Sequence, residues 1–170
     1  MLLVITVLVG LIYPLVATGL ARSFFSRQCS GSLIPAGDHA VGSELLAQKF
    51  ENPKYFWPRP SAADYATIPS GASNKGPTSA DLVKAVNEHR EKFGKDAPGE
   101  MLTASGSGLD PHISAAGAHM QVPRVATARK ISPAKISALV DEMLEGPQLG
   151  FLGEPRINIL KLNLALDQLP

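Results

Sequence analysis

The chain has 170 residues, with 16 Lys and Arg against 15 Asp and Glu, a formal net charge of +1 and a single cysteine. That length holds one core rather than two. The charges are mixed, with no basic stripe to suggest a nucleic-acid binder, and one cysteine excludes an internal disulfide.

Met1 to Ala21 carries no charged side chain, and Arg22 is the first charge. About 20 apolar residues rising ~1.5 Å each cross the ~30 Å hydrocarbon core of a bilayer. Gly10, Pro14 and Gly19 are interruptions of the kind membrane helices tolerate. A cleaved signal peptide would need a basic start, a shorter apolar core and a small-x-small site. The run is too long, and Ala17-Thr18-Gly19 matches such a site only weakly. Residues 1–21 are therefore expected to be an uncleaved transmembrane helix. Arg22 and Arg27 follow it, so the positive-inside count alone places what comes next in the cytoplasm. Cys29 lies too far past the apolar run for lipid attachment and reads as an unpaired thiol.

Residues 22–40 form a mixed connector, and residues 41–170 are expected to form one globular domain. Val41, Leu45, Leu46 and Phe50 share one face of a short helix if Val41 to Phe50 is helical. Glu51 to Ser79 is rich in Pro, Gly, Ser and Asn. Irregular stretches of that length usually bind something or are disordered, and Tyr55-Phe56-Trp57 argues against disorder. Thr78 to Phe93 reads as a helix, with Thr78 and Asp81 forming a box-like start and Gly94 the stop. After a loop at 95–109, a helix is expected from Pro111 to just before Pro123, a brief one at 124–129 and a third from Pro133 to Glu145. Ser132 would cap the third, with Pro133 at its first position. The tail, Arg156 to Leu166, alternates like a strand and then slips at Ile159-Leu160, as a strand passing into a helix would. These elements make an α+β chain: one N-terminal transmembrane helix and a single mixed helix/sheet extramembrane domain.

GSGLDPHIS, residues 106–114, places Ser107, Asp110 and His112 together, the residue types of a hydrolytic triad. A triad needs three side chains converging on one point, and neighbours on a loop and a helix's first turn rarely do so. Asp110 before Pro111 reads instead as an N-cap. The Ser105–Gly108 loop lacks the Lys-Ser or Lys-Thr of a phosphate loop, and an aspartate cap repels anions. His39, His89, His112 and His119 lack the spacing of a zinc site, so no metal is expected. YFWPRP, residues 55–60, offers Tyr55, Phe56, Trp57 and Arg59. They could stack a planar ligand, dock a partner protein or fold onto the domain's own core.

The ordered set of motifs is more specific than any one of them. Tyr13-Pro14 in the apolar run is followed by GSLI (31–34), GSELLAQKF (42–50) and YFWPRPSAADY (55–65). SGSGLDPHIS (105–114), QVPRVATAR (121–129) and LGFLGEPRINILKLNLAL (149–166) come next. Together they resemble the C subunit of the potassium-transporting Kdp ATPase over nearly the whole chain.

The resemblance implies an accessory subunit of a high-affinity, ATP-driven potassium importer in the bacterial inner membrane, needed for assembly and non-catalytic by itself. The implied partners are a channel-like potassium-translocating subunit, a P-type ATPase pump subunit and a small membrane subunit. It further implies a catalytic chaperone that raises the pump subunit's affinity for ATP, with ATP shared with that subunit and no intrinsic cofactor. The implied side for the domain is extracytoplasmic, opposite to the charge count. Gln48 matches the glutamine given to nucleotide contact, with Ser43 beside it; the alternative for both is a surface or capping role. The aspartyl-phosphate motif Asp-Lys-Thr-Gly-Thr is absent from this chain. The competing reading is a membrane-anchored extracytoplasmic hydrolase using His112, or a binding protein.

Overall fold

A computed structural model describes residues 1–169. Its first helix shows what an apolar run does when a proline interrupts it. The run is helical from Leu2 to Phe24 (α1, Leu2–Val7; α2, Tyr13–Phe24), with one wider π-helical turn at Leu8–Ile12. The π turn stands directly before Pro14, whose ring cannot donate to the carbonyl four residues back and would press on it. Thr6 Oγ1 donates to Leu2 O (3.0 Å) and Ser23 Oγ to Gly19 O (2.9 Å), so these hydroxyls are satisfied inside the helix. No residue of this helix is buried.

A short α3, Ser26–Cys29, follows, and then a hairpin of β1 (Leu33–Ala36) and β2 (His39–Ser43). Gly37 at φ 62° supplies the left-handed first position of its two-residue turn. The register runs from Leu33 opposite Ser43 to Ala36 opposite His39, with an irregularity between Ile34 and Pro35. Val41 is therefore in a strand, and the helix expected from Val41 to Phe50 does not form. Of the expected face, Val41, Leu45 and Leu46 are exposed and Phe50 alone packs against the core, too little burial along one face to support a helix.

The chain divides into two compact units, Met1–Ser43 and Glu44–Pro170. In the second, residues 51–79 contain no helix or strand. α4 (Ala80–Phe93) begins one residue later than expected from a Thr78 box. Ser79 is its cap, accepting the Leu82 N–H, and Gly94 at φ 99° ends it. A short α5 (Gly99–Leu102) then buries Met101 and Leu102.

Two elements follow that the sequence reading divided differently. His112 and Ile113 are not helical; they form β3, antiparallel to β4 (Ile157–Asn158). Ile113 and Ile157 are 1% and 0% exposed, and that burial fixes which face each strand turns inward. The helix starts at Ala115 and runs unbroken through Pro123 to Arg129 as α6. Pro123 forfeits a hydrogen bond and costs about 3 kcal/mol in a helix interior. It faces solvent while Val122, Val125 and Ala126 beside it are buried, and their packing holds the helix together. Lys130 closes α6 at φ 59°, and the Ile131 N–H returns to Ala126 O at 3.2 Å.

α7 (Pro133–Glu142) buries Ile136, Leu139 and Val140, and α8 (Ile159–Asp167) buries Ile159, Leu162, Asn163 and Leu166. Strand β4 passes straight into α8, whose cap is Asn158, accepting the Lys161 N–H at 3.1 Å. The core is therefore the meeting of α6, α7 and α8 with the β3–β4 pair, closed by Met101 and Phe56. The fold class is α+β, with one apolar helix ahead of a mixed unit.

Candidate functional site

Phe56 enters that core from a segment with no secondary structure, and its ring is 0% exposed. The backbone around it must find partners without a ladder. Two side-chain amides supply them. Asn163 on α8 accepts the Phe56 N–H at 2.8 Å and donates to Phe56 O at 3.0 Å. Gln121 on α6 does the same for Trp57, accepting its N–H at 2.8 Å and donating to its carbonyl at 3.0 Å. Each amide reads a peptide as a neighbouring strand would. Asn163 and Gln121 are themselves 2% exposed.

Two arginines of α6 complete the clamp. Arg124 donates from Nη1 to Pro53 O (2.7 Å) and Tyr55 O (3.0 Å), and its guanidinium carbon lies 3.7 Å from the centre of the Trp57 ring. Burial pulls its pKa down to about 10, still charged at neutral pH. Arg129 donates to Lys54 O at 2.7 Å and to Asp167 at 2.5 Å, while Tyr55 Oη donates to Asp167 at 3.1 Å.

The far side of Trp57 faces a cleft of about 200 Å³ lined by Lys49, Trp57, Asp64, Tyr65, His89 and Lys92, among others. Lys92 Nζ lies 4.4 Å from the Trp57 ring centre, and Phe93 meets it edge-on at 5.9 Å. Lys49 pairs with Asp64 at 2.8 Å and Glu51 at 3.1 Å, and those hydrogen bonds raise its ammonium pKa. Burial, helped by Asp64, pushes the Tyr65 hydroxyl up to about 12, so it stays a neutral donor, given to Arg59 O at 2.9 Å. His89 bonds through Nδ1 to Leu102 O at 2.8 Å. A carbonyl only accepts, so that nitrogen carries the proton.

Of the four YFWPRP residues, then, Phe56 is a core residue and offers no surface to a partner. Tyr55, Trp57 and Arg59 are part-exposed but already engaged. Arg59 Nη1 donates to Asp110 Oδ2 at 2.9 Å, and its buried Nε has no partner among the described residues.

Asp110 is not a helix cap, because the residues after Pro111 are strand. Its Oδ1 accepts the His112 N–H at 3.0 Å in a local turn, and the cap belongs to Ser114, which accepts the Gly117 N–H at 3.1 Å. Burial would raise the Asp110 carboxyl. Hydrogen bonds from His112 and Arg59, with the guanidinium charge, outweigh it and hold the pKa below the usual value. Ser132 occupies the N-cap position of α7 but makes no side-chain capping bond.

No hydrogen bond joins Ser107 to His112 among the described residues. Ser107 Oγ instead accepts the Leu109 N–H at 3.1 Å. The Ser105–Gly108 loop leads into β3 rather than a helix. It is filled by chain, since a Cβ on Gly108 would lie 2.9 Å from Gly71 O. Three histidines are spoken for separately: His89 by Leu102, His112 beside Asp110 at 3.8 Å, and His119 by Asp141 at 2.9 Å. No metal-holding group of three ligands exists among the described residues. Ser43 ends β2, donating to Gly31 O at 2.7 Å, whereas Gln48 is half-buried in the second unit.

The clamp residues Gln121, Arg124, Arg129 and Asn163 were not among the expected site residues. A buried Asn within an apolar helical face was the available signal, since such groups are retained where they are satisfied.

The chain matches the family model described as KdpC, the K+-transporting ATPase c chain, over residues 1–168. It is 51% identical to the potassium-transporting ATPase KdpC subunit of Geobacter sulfurreducens, covering 99% of this chain and 94% of that protein. The corresponding subunit of Koribacter versatilis is 48% identical, over 98% of this chain and 90% of its own length. That of Xanthomonas oryzae pv. oryzae is 47% identical, over 94% and 79%.

Two outcomes test the clamp. Asn163→Leu leaves the Phe56 N–H and carbonyl buried without partners, and unfolding free energy is expected to fall by about 2–4 kcal/mol. Urea denaturation followed through Trp57, the single tryptophan, measures it; a change under ~0.5 kcal/mol shows the amide contacts to be incidental. The second concerns pH. A carboxyl whose folded pKa lies below its unfolded value of ~3.9 contributes stability above that value and loses it as pH falls through the folded pKa. Stability of the wild type is expected to decline below about pH 4 more steeply than that of Asp110→Asn. Parallel pH profiles would show that Asp110 contributes nothing to the slope.

Proposed function

The chain belongs to the KdpC family, the c chain of the K+-transporting ATPase, and from that membership we propose that it is the accessory, single-helix subunit of an ATP-driven potassium importer. The observation that carries the reading is the extent of the match: it spans the apolar helix and the mixed unit together. Leu2–Phe24 is long and apolar enough to cross a bilayer once. On this reading the helix packs against a channel-like potassium-translocating subunit, a P-type pump subunit and a small membrane subunit. A Cβ at Gly10 or Gly19 meets nothing within 4 Å in the chain itself, so a neighbouring helix can approach the backbone closely there.

We place the mixed unit on the extracytoplasmic side, against the arginine count. Arg22 in the helix's last turn and Arg27 just past it are a weak signal, and a large domain crosses largely regardless of charge. This placement decides the form of any chaperone role. Direct contact of Ser43 and Gln48 with ATP requires the unit on the ATP side of the membrane. From the outer side, an effect on the pump subunit's ATP affinity is transmitted through the membrane subunits, by stabilising one of their conformations.

Cys29 is exposed and lies just past the helix. An impermeant maleimide applied to intact cells is expected to label it, with Cys29→Ser as the blank. Labelling only after lysis would put the unit inside and restore direct nucleotide contact. Deleting residues 2–24 is expected to abolish co-purification with the other subunits and growth at limiting potassium. Undiminished growth would remove the anchored-subunit reading.

A further inference from the structure

The hairpin tip at residues 147–153 carries two costs that the fold does not require. Leu149 and Phe151 are 83% and 75% exposed, although nothing in the tip's chemistry gains from water. Leu149 also stands at φ 53°, followed by Gly150 at φ 83°. That left-handed position suits Gly or Asn and strains a leucine. Both costs are borne on a rigid stem. Gln148 and Leu152 exchange backbone hydrogen bonds at 2.9 and 2.8 Å, and Glu145 and Arg156 do so at 2.8 and 3.0 Å. The Glu145 carboxylate is held by Arg156 at 3.5 Å and by Lys161 on α8 at 3.7 Å. A strained, apolar, exposed turn on a braced stem is a shape kept for contact.

We propose that Leu149 and Phe151 form a docking knob that seats in an apolar groove on a membrane-embedded subunit of the transporter, a reading that rests on the subunit role above. Two observations favour a protein groove over a lipid surface. Residues 146–153 contain no charge, Arg156 is committed to Glu145, and Glu154 stands exposed without an ion pair among the described residues. Loops that enter bilayers bring Lys or Arg to anionic headgroups, which would repel Glu154. The fixed turn also matters: a preformed shape is rewarded by a complementary wall, whereas fluid acyl chains accept any shape. The groove therefore has an apolar floor and a cationic or N–H-donating rim that meets Glu154.

Leu149→Asn separates docking from folding, because Asn accepts the left-handed conformation. The full-length variant is expected to melt at or above the wild-type temperature while its co-purification with the transporter subunits falls roughly tenfold or more. Phe151→Ser, at an ordinary backbone position, is expected to give the same loss. Wild-type yield of assembled complex with both variants overturns the proposal. Wild-type chain that itself fails to co-purify overturns the subunit role instead. A second measurement separates groove from lipid: Cys29→Ser/Phe151→Cys carrying an environment-sensitive fluorophore, reconstituted in phosphatidylcholine–phosphatidylglycerol vesicles. Water-like emission that shifts blue only when the other subunits are added supports the groove. A blue shift in vesicles alone assigns the tip to lipid and overturns the proposal.

Discussion

The mixed unit depends on one constraint: an irregular segment has to pass through a core without leaving its peptide groups unpaired. Phe56 closes the core, and it cannot be buried unless its own N–H and carbonyl are buried with it. Asn163 and Gln121 meet that requirement, each spending a primary amide on one peptide in the two-bond pattern of a strand. Placing an amide inside an apolar face is unfavourable unless its bonds are complete. Here they are complete because α6 and α8 both present their amides to the same extended stretch. Arg124 works on the same logic, with two neighbouring carbonyls and the Trp57 face as partners. Its charge is kept despite burial because the surroundings are acceptors and a π surface.

What could be read from the sequence follows from this. Elements built on local signals were legible: the apolar helix, the α4 stop at Gly94, Pro133 at the start of α7, the strand-to-helix change at Ile159. Elements decided by tertiary packing were not. Pro123 looks like a boundary because the local rule sees only its lost hydrogen bond. The buried residues on either side, Val122 and Val125, are what keep α6 whole. Val41 to Phe50 has helical spacing, but of that face only Phe50 packs on the core, and the hairpin register takes its first residues instead. At the site, the aromatic cluster was visible as something other than disorder. Its direction, inward for Phe56, is set by Asn163, 107 positions away in the chain.

Asp110 shows how the same residue types carry chemistry or architecture according to direction. An aspartate beside a histidine is the orienting half of a triad only if the imidazole turns its other nitrogen toward a nucleophile. Asp110 spends one oxygen on the His112 backbone and the other on Arg59. Ser107 spends its hydroxyl oxygen on the Leu109 N–H. What remains is a charge balance: a half-buried carboxylate ties the loop before β3 to the end of YFWPRP through one guanidinium. The arrangement is tight enough that the Arg59 Nε is left buried without an acceptor among the described residues, an unfavourable feature that the Asp110 contact offsets.

The two membrane-related features of the chain obey opposite rules. In Leu2–Phe24 exposure of apolar side chains is what a bilayer demands, and the helix hides its few polar groups, as Thr6 and Ser23 do by bonding backward. At Leu149 and Phe151 the same exposure sits on a unit that has a sequestered core of its own, from Phe56 to Leu166. The stem beneath the tip is braced by paired backbone bonds and by Glu145 with Arg156 and Lys161, so looseness does not account for it. Turn chemistry does not either, since Asn at position 149 would serve the backbone better. An apolar residue kept where both solvent and backbone disfavour it has to be compensated by a contact outside the chain, and for a family of transporter subunits the place to seek that contact is the complex itself.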